Sequence, residues 1–240
     1  METGRAQPSR DMVLLLADQL GVPLRDRNVL LTAAGYAPVF SERKLDDPAL
    51  AAARQAVELV IQGHAPYPAI AVDRHWTLVA ANDAVLQLLT GVDAELLSPP
   101  VNVMRLALHP RGLAPRTFNL VEWRGHLLEQ LRRQVVASAD PVLIALLEEV
   151  QGYAVPSGPR PPHRPRGYSG MVVPFELLTE RGLLAFFSTI TVFATPIDVT
   201  LSELAMECFY PADAATAEIL QSTASKTRAQ HRRRSADGRA

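Results

Sequence analysis

Apolar residues near the start of the chain repeat with helical spacing. Ser9 is placed to cap a first helix, which Gly21 ends, and a second short helix is predicted between Pro23 and Gly35. The apolar positions of the first helix are Val13, Leu16, Ala17 and Leu20. Helices this short are marginal in water, so we expect this pair to pack against further segments.

The pattern changes from helical to strand-like after residue 64. Asp47-Pro48 begins a linker helix that Gly63 ends. Two strand-like runs, 69–73 and 76–81, then predict an antiparallel hairpin with its turn at Arg74-His75. Helical segments follow. Asn82 caps the first, a second runs from Asn102 to Leu108, Asn119 caps a long third helix, and Asp140-Pro141 begins a fourth.

A proline-rich and basic loop over residues 155–170 precedes three further strand-like runs, at 171–178, 183–193 and 200–209. In the last run Glu203 and Glu207 alternate with Leu204, Met206 and Cys208, which predicts one solvent-facing and one buried side. Two strands, a helical insertion and three strands predict an α+β fold, namely a PAS-like five-stranded antiparallel sheet with inserted helices.

The predicted organisation has four parts. Residues 1–37 form a partial all-α bundle and 38–63 a linker helix. Residues 64–215 form the PAS-like domain, and 216–240 form a basic, disordered tail that either touches phosphate backbone or is simply solvated.

Composition narrows the class of protein. The chain is 48% hydrophobic and 20% charged with a net charge of −1, as in an ordinary globular protein. It has no apolar run long enough to span a bilayer and no signal-peptide pattern, which favours the cytoplasm and no membrane partner.

The sequence favours no catalytic or metal chemistry. The six histidines form no metal-binding motif, and Cys208 is the single cysteine. There is no phosphate-binding glycine loop and no Gly-x-Ser-x-Gly turn. We therefore expect no catalytic residues, no metal, no cofactor and no enzymatic activity.

A ligand site is the remaining candidate, in a cavity between the sheet and the inserted helices. Arg105 and His109 lie four residues apart on one helix and could hold an anion. The alternative is that Arg105 makes a structural ion pair and His109 caps the helix. Trp123 is predicted to lie in the core or to wall the cavity, and Asn102 and Asn82 are further candidates, although Asn82 fits a helix cap better.

The first residues resemble the second half of a lambda-repressor/Xre-type helix-turn-helix domain. The matching residues are Glu2-Thr3-Gly4-Arg5, Pro8-Ser9, Leu16-Ala17, Leu20 to Leu24 and Arg27-Asn28. The resemblance implies that the recognition helix precedes this chain and that Arg5, Ser9 and Arg10 lie near DNA in the complete protein. The alternative is a helical extension that packs on the following domain.

The rest of the chain resembles the MmyB-like ligand-binding domain of actinobacterial regulators over residues 64–215. Among the matching segments are Pro66 to Ala69, Asp73 to Trp76, Asn102 to Leu106, Leu108 to Pro110, Gly112 to Arg116, Glu122 to Arg124, Phe186 to Thr189 and Pro211 to Asp213. The resemblance implies a homodimeric regulator with a small hydrophobic, fatty-acid-like ligand and DNA as its partner. The alternative is a stand-alone ligand-binding or dimerisation module that acts through a protein partner.

Overall fold

The computed structural model describes residues 7–155 and 173–223, which divide into two compact units. The first unit contains residues 7–56 and 192–205, and the second contains 57–155, 173–191 and 206–223. Most of the predicted loop 155–170 and the tail beyond residue 223 lie outside the described residues.

The helices and strands follow in chain order. The α-helices are α1 (Arg10–Gln19), α2 (Leu24–Ala33), α3 (Ala51–Gly63), α4 (Asp83–Leu88), α5 (Ala94–Leu97), α6 (Val103–Leu108), α7 (Leu120–Ser138), α8 (Pro141–Gln151), α9 (Val199–Ser202) and α10 (residues 214–223). Short 3-10 helices span Pro48–Leu50 and Ala114–Arg116. The strands are β1 (Ala69–Val72), β2 (Leu78–Ala81), β3 (Phe175–Thr179), β4 (Gly182–Val192) and β5 (Ala205–Pro211).

The first unit confirms the two predicted N-terminal helices. The Ser9 hydroxyl accepts a hydrogen bond from the N–H of Met12 at 3.2 Å, so Ser9 caps α1 as predicted. Gly21 has φ +64°, a left-handed conformation that ends α1. Ala17 and Leu31 are the buried side chains of α1 and α2.

A distant segment of the chain completes the first unit. Nε of Arg25 in α2 lies 2.6 Å from Oε1 of Glu203, and the same guanidinium bonds Glu42. Nη1 of Arg43 lies 2.9 Å from the buried carboxylate of Asp198, which caps α9. This segment also corrects a prediction. The strand predicted over residues 200–209 is wrong at its start, because residues 199–202 form α9 and β5 begins at Ala205.

The second unit confirms the predicted five-stranded sheet, with the order β2-β1-β5-β4-β3. Two antiparallel hairpins form its two sides, with Ile70 opposite Ala81 in one and Phe175 opposite Phe186 in the other. The last strand, β5, lies between the hairpins. The first strand of the domain, β1, and its last strand, β5, are therefore neighbours near the centre of the sheet.

The first hairpin has a longer turn than predicted. The carboxylate of Asp73 accepts hydrogen bonds from the N–H groups of His75 and Thr77, and Trp76 has φ +64°. This turn conformation delays the start of β2 to Leu78. The indole N–H of Trp76 donates to Oε1 of Gln134 at 2.7 Å and fixes the turn against α7.

The long helix α7 packs with its apolar stripe inward, as predicted, and its buried residues are Leu120, Trp123, Leu127, Leu128 and Leu131. The predicted side-chain cap by Asn119 is wrong, because that amide is used elsewhere. Nδ2 of Asn119 donates to the carbonyl of Pro174, and its Oδ1 accepts from the N–H of Glu176. Asn119 therefore connects the start of α7 to the start of β3.

The structure continues beyond the predicted end of the domain. Residues 214–223 are helical, although the sequence predicted a disordered tail from residue 216. The hydroxyl of Thr216 accepts a hydrogen bond from the N–H of Ala185 in β4 at 3.0 Å, and Leu220 is buried. Helix α10 thus packs on the sheet and belongs to the second unit.

Candidate ligand-binding site

An apolar cavity lies under the sheet, between its concave strands and the inserted helices of the second unit. Side chains of β1, β2, β3 and β5 line one side, and side chains of α4, α6 and α7 line the other. Among them are Ile70, Val85, Met104, Trp123, Phe175 and Phe209. This is where the sequence predicted a cavity.

Two periodicities bring these side chains together. On α7, Trp123 and Leu127 are four residues apart and face the sheet. On β5, Glu207 and Phe209 are two residues apart and so share the face that lines the cavity. Trp123 stacks on Phe175 with ring centroids 5.1 Å apart, and it is buried as well as being one of the lining residues, so it belongs to both the core and the cavity wall.

The free volume of the cavity is about 100 Å³. An engineered apolar cavity of about 150 Å³ holds benzene, and sites that enclose drug-sized ligands have about 300–1,000 Å³. A long-chain ligand therefore requires lining side chains to move. Met104 is suited to this, because its unbranched thioether side chain adapts its shape more readily than branched residues do.

Glu207 on β5 is one of the residues that line this cavity, and it is partly buried. Burial raises the pKa of Glu207, and the Ser188 side chain on the neighbouring strand opposes the rise only in part. The predicted buried side of the last strand-like run is confirmed, because Leu204, Met206 and Cys208 are buried. The predicted solvent-facing side is corrected at Glu207, which is partly buried and lines the cavity together with Phe209. The sequence did contain a signal, because an aromatic residue, Phe209, lies on the same face as Glu207 and indicates that this face is covered.

Arg105 and His109 do not line the cavity, which corrects their predicted position. Nη2 of Arg105 lies 2.7 Å from Oε2 of Glu149 in α8, and both side chains are more than a third exposed. The Tyr153 hydroxyl also bonds Glu149. Hydrogen bonding to Glu149 raises the pKa of Arg105, and the reciprocal bond lowers the pKa of Glu149.

His109 has the structural role that the sequence analysis gave as the alternative. It is the C-cap residue of α6, and its Nδ1 accepts the N–H of Arg111 at 3.0 Å. Its ring packs edge-on against Tyr153 at 4.8 Å. The His109 ring therefore contacts the residues that directly follow α8.

Asn102 and Asn82 are both used within the fold. Oδ1 of Asn102 accepts the N–H groups of Met104 and Arg105, and its Nδ2 donates to the carbonyl of His75. Asn102 is therefore the cap of α6. With Arg105 and His75 it lines a surface cleft of about 440 Å³ that is separate from the apolar cavity.

The side chain of Asn82 is buried and does not cap α4, although it occupies the capping position. Its Nδ2 donates to the carbonyls of Ile61 and Tyr67, and its Oδ1 accepts the N–H of Ala69. These bonds join the end of α3 to β1. Asn82 is not among the residues that line the cavity.

The predicted DNA-contacting residues remain predictions. Arg5 lies outside the described residues. Ser9 caps α1, and Arg10 is the first residue of that helix and exposed. Over residues 7–155 and 173–223, no group of three or more His, Cys, Asp or Glu side chains is arranged to hold a metal ion.

The described helices also include none that is both long and apolar enough to cross a bilayer. A comparison with curated proteins gives no match. The family model of the MmyB-like transcription regulator ligand binding domain matches residues 53–222. This match begins within α3 and ends in α10, so it is longer at both ends than the predicted domain 64–215, and it describes transcription regulators rather than enzymes. The chain therefore belongs to the MmyB-like transcription regulators, and residues 53–222 are its ligand-binding domain.

Proposed function

We propose that this chain is the sensory part of a transcription regulator and that the cavity under the sheet binds a small hydrophobic molecule. The observation that carries the proposal is the apolar cavity itself, enclosed by sheet and helices within the matched domain. Sites of this kind derive affinity from apolar burial and orientation from a few polar groups. The family resemblance suggests a fatty-acid-like molecule.

Binding is expected to act on the rest of the domain through the helices that wall the cavity. A ligand whose hydrocarbon chain is larger than the free volume of the cavity has to displace side chains of α4, α6 or α7. In the proposed regulator this displacement changes DNA affinity in a homodimer located in the cytoplasm. We infer no direction of regulation, because activation and repression use the same coupling.

The DNA-binding part of the proposal has support in the first unit. Helices α1 and α2 expose apolar side chains that soluble proteins usually cover, namely Met12, Leu15, Leu16, Leu20, Val29 and Leu30. Further helices of a helix-turn-helix bundle would cover them. A stand-alone ligand-binding module that acts through a protein partner would present the same surface to that partner.

Ligand binding is tested by native mass spectrometry of the purified protein. A second test is titration with ligands whose saturated hydrocarbon chains increase in length. Trp76 and Trp123 both line the cavity, so their fluorescence reports binding. Ala107→Phe fills the cavity and is expected to abolish binding, whereas Ala145→Phe, at an exposed position of α8, is expected to leave it unchanged. Equal binding by both variants contradicts the proposal.

The DNA proposal is tested by gel shift at physiological salt. The present chain is compared with a version extended upstream by a helix-turn-helix segment. We expect sequence-specific binding only by the extended version, because recognition helices supply the base contacts. Non-specific binding by both versions would instead support the protein-partner alternative.

A further inference from the structure

A second concave surface of the second unit carries charged side chains. It is a groove of about 750 Å³ between α4, the β3–β4 hairpin and α10, and sites that bind small ligands have about 300–1,000 Å³. Three leucines of its lining, Leu88, Leu184 and Leu220, are buried and give it an apolar part. Leu88 also lines the apolar cavity under the sheet, but the two sets of lining residues have no other member in common. The groove is therefore a separate surface.

Arg116 lines this groove and is half-buried. Its Nη2 donates to the carbonyl of Leu88 at the end of α4, at 2.7 Å. A guanidinium has five N–H donors, and the described residues supply no other hydrogen bond and no carboxylate partner to this one. Burial lowers the pKa of Arg116, and no acidic side chain of the described residues counters this effect.

Other arginines of the fold have carboxylate partners. Nε of Arg25 lies 2.6 Å from Glu203, and Nη2 of Arg105 lies 2.7 Å from Glu149. Hydrogen bonding to these carboxylates raises the pKa of both arginines. Burial of a cation without an anion costs free energy, because the cation loses part of its hydration. A bound anion would supply Arg116 with the partner that the described residues do not provide.

Arg181, on the turn between β3 and β4, is a second cation of the groove. It is exposed, and its guanidinium bonds the hydroxyl of Thr223 in α10. Among the described lining residues Glu180 is the only carboxylate, and it is exposed to water. Two arginines and one glutamate give the lining a net charge of +1. This charge favours an anionic occupant.

We propose that this groove binds an organic anion, with carboxylate or phosphate oxygens on the guanidinium of Arg116 and an apolar part against Leu184 and Leu220. Guanidinium groups bind both kinds of anion through paired N–H···O bonds. Arg181 adds positive charge at the exposed rim. The inference goes beyond the proposed function, because it concerns a second site and does not require that the apolar cavity binds a ligand.

The test uses three naphthalene probes that differ only in the polar group: 2-naphthoate, 2-naphthyl phosphate and the uncharged 2-naphthamide. Each is titrated at pH 7 into the purified protein, with calorimetry as the readout. The two anions distinguish a carboxylate ligand from a phosphate ligand. Intermolecular NOEs from the naphthyl protons to methyl groups of the protein then locate the probe.

The variants separate the charge of Arg116 from its contact with α4. Arg116→Gln removes the charge, and Arg116→Lys keeps the charge without the planar guanidinium. Arg124→Gln is the matched control, because Nη2 of Arg124 also donates to a carbonyl at the end of a helix, that of Gln151 in α8 at 2.7 Å, outside the groove. Circular dichroism and denaturant unfolding report whether each variant is folded.

Wild type is expected to bind at least one of the two anions at least about tenfold more tightly than 2-naphthamide, the effect of one charge-assisted hydrogen bond. Arg116→Gln should weaken binding of that anion at least about tenfold, Arg116→Lys should weaken it less, and Arg124→Gln should leave it unchanged. NOEs to the methyl groups of Leu184 and Leu220 are expected.

Three results overturn the proposal. The first is that neither anion binds folded wild type more tightly than 2-naphthamide does, and the second is equal binding of the anion by Arg116→Gln and Arg124→Gln. The third is a set of NOEs to Met104 and Leu127, which would place the probe in the apolar cavity instead. Each leaves the proposed ligand-binding function to its own test. The wild-type comparison and the NOEs remain decisive if an Arg116 variant fails to fold.

Discussion

At the scale of single residues, the buried amide of Asn82 satisfies several backbone groups at once. It bonds backbone groups of Ile61 and Ala69, which are buried, and of Tyr67, which is partly buried. Asn82→Ala leaves these groups without a partner, at about 1–3 kcal/mol for each group that water cannot reach. We expect a loss of about 3 kcal/mol in the free energy of unfolding, measured by chemical denaturation.

The matched control for this substitution is Gln87→Ala on the exposed face of α4. It should change the free energy of unfolding by less than about 0.5 kcal/mol, the usual range for surface substitutions. A similar small change for Asn82→Ala would contradict the role assigned to its amide.

Arg105 and Glu149 form an exposed ion pair, which limits what their removal can do. Exposed pairs contribute about 0.2–1 kcal/mol, so Arg105→Ala is expected to cost no more than that at pH 7. The pKa of Glu149 is lowered in the folded state. Its contribution is therefore present above the unfolded pKa and lost as the pH falls through the folded value.

The measurement is the unfolding free energy of wild type and Arg105→Ala between pH 7 and pH 3, together with ligand affinity. The stability difference should shrink toward acid, and affinity for ligands of the apolar cavity should not change. A tenfold loss of ligand affinity in Arg105→Ala would contradict this expectation and would show that Arg105 takes part in ligand binding.

At the scale of elements, Asp140 shows how one side chain both starts a helix and ties it to the sheet. Its Oδ1 accepts the N–H of Val142 at the start of α8, and its Oδ2 lies 3.0 Å from Nε2 of His75 and 3.2 Å from Nη1 of Arg74. Burial opposes ionisation of Asp140, but the hydrogen bonds from His75 and Val142 outweigh it and lower the pKa.

Asp140→Ala removes the cap and the ion pairs and is expected to cost about 2–3 kcal/mol at pH 7. Asp140→Asn keeps a good capping group and removes only the charge, so it should cost less. Because the pKa of Asp140 is lowered in the folded state, the difference between wild type and Asp140→Asn should begin to shrink as the pH falls to about 4, the unfolded value, and should disappear below the folded pKa. Equal costs for both variants at pH 7 would contradict a separate capping role.

At the scale of the whole molecule, the two units differ in how much apolar surface they bury. In the described part of the first unit the buried apolar side chains are Ala17, Leu31, Leu50, Val199 and Leu204. The second unit buries a continuous core of sheet and helices. Because local opening is easiest where few apolar contacts hold the backbone, we expect α1 and α2 to exchange amide hydrogens faster than the sheet does.

The guanidinium of Arg25 holds the first unit together across the longest sequence separation, 178 residues to Glu203. Arg25→Ala is expected to increase amide exchange in α1, α2 and α9 severalfold and to leave β1 and β5 unchanged. Arg10→Ala, at an exposed position of α1, is the control. Faster exchange throughout the sheet would show that the two units open together.

The sequence by itself determined most of the helices and strands, the class of the sheet and the family, although it missed α9 and α10. Periodic stripes such as that of α7, caps such as Ser9 and the hairpin after residue 64 depend on interactions between residues a few positions apart, which a linear pattern records. The order of strands and helical insertion then left few topologies to choose from. Family motifs in the ligand-binding domain pointed to the same fold.

Only the tertiary structure decided the partners of polar side chains and the chemistry of the cavity. Arg105 is bound by a carboxylate 44 residues away, and the alternation in β5 could not tell solvent from cavity on the Glu207 face. Asn82 likewise fits the pattern of a cap, yet its amide turns inward to α3 and β1. The physical reason is that a period of two or 3.6 residues specifies which side chains share a face, while burial and charge pairing depend on distant segments that cover that face.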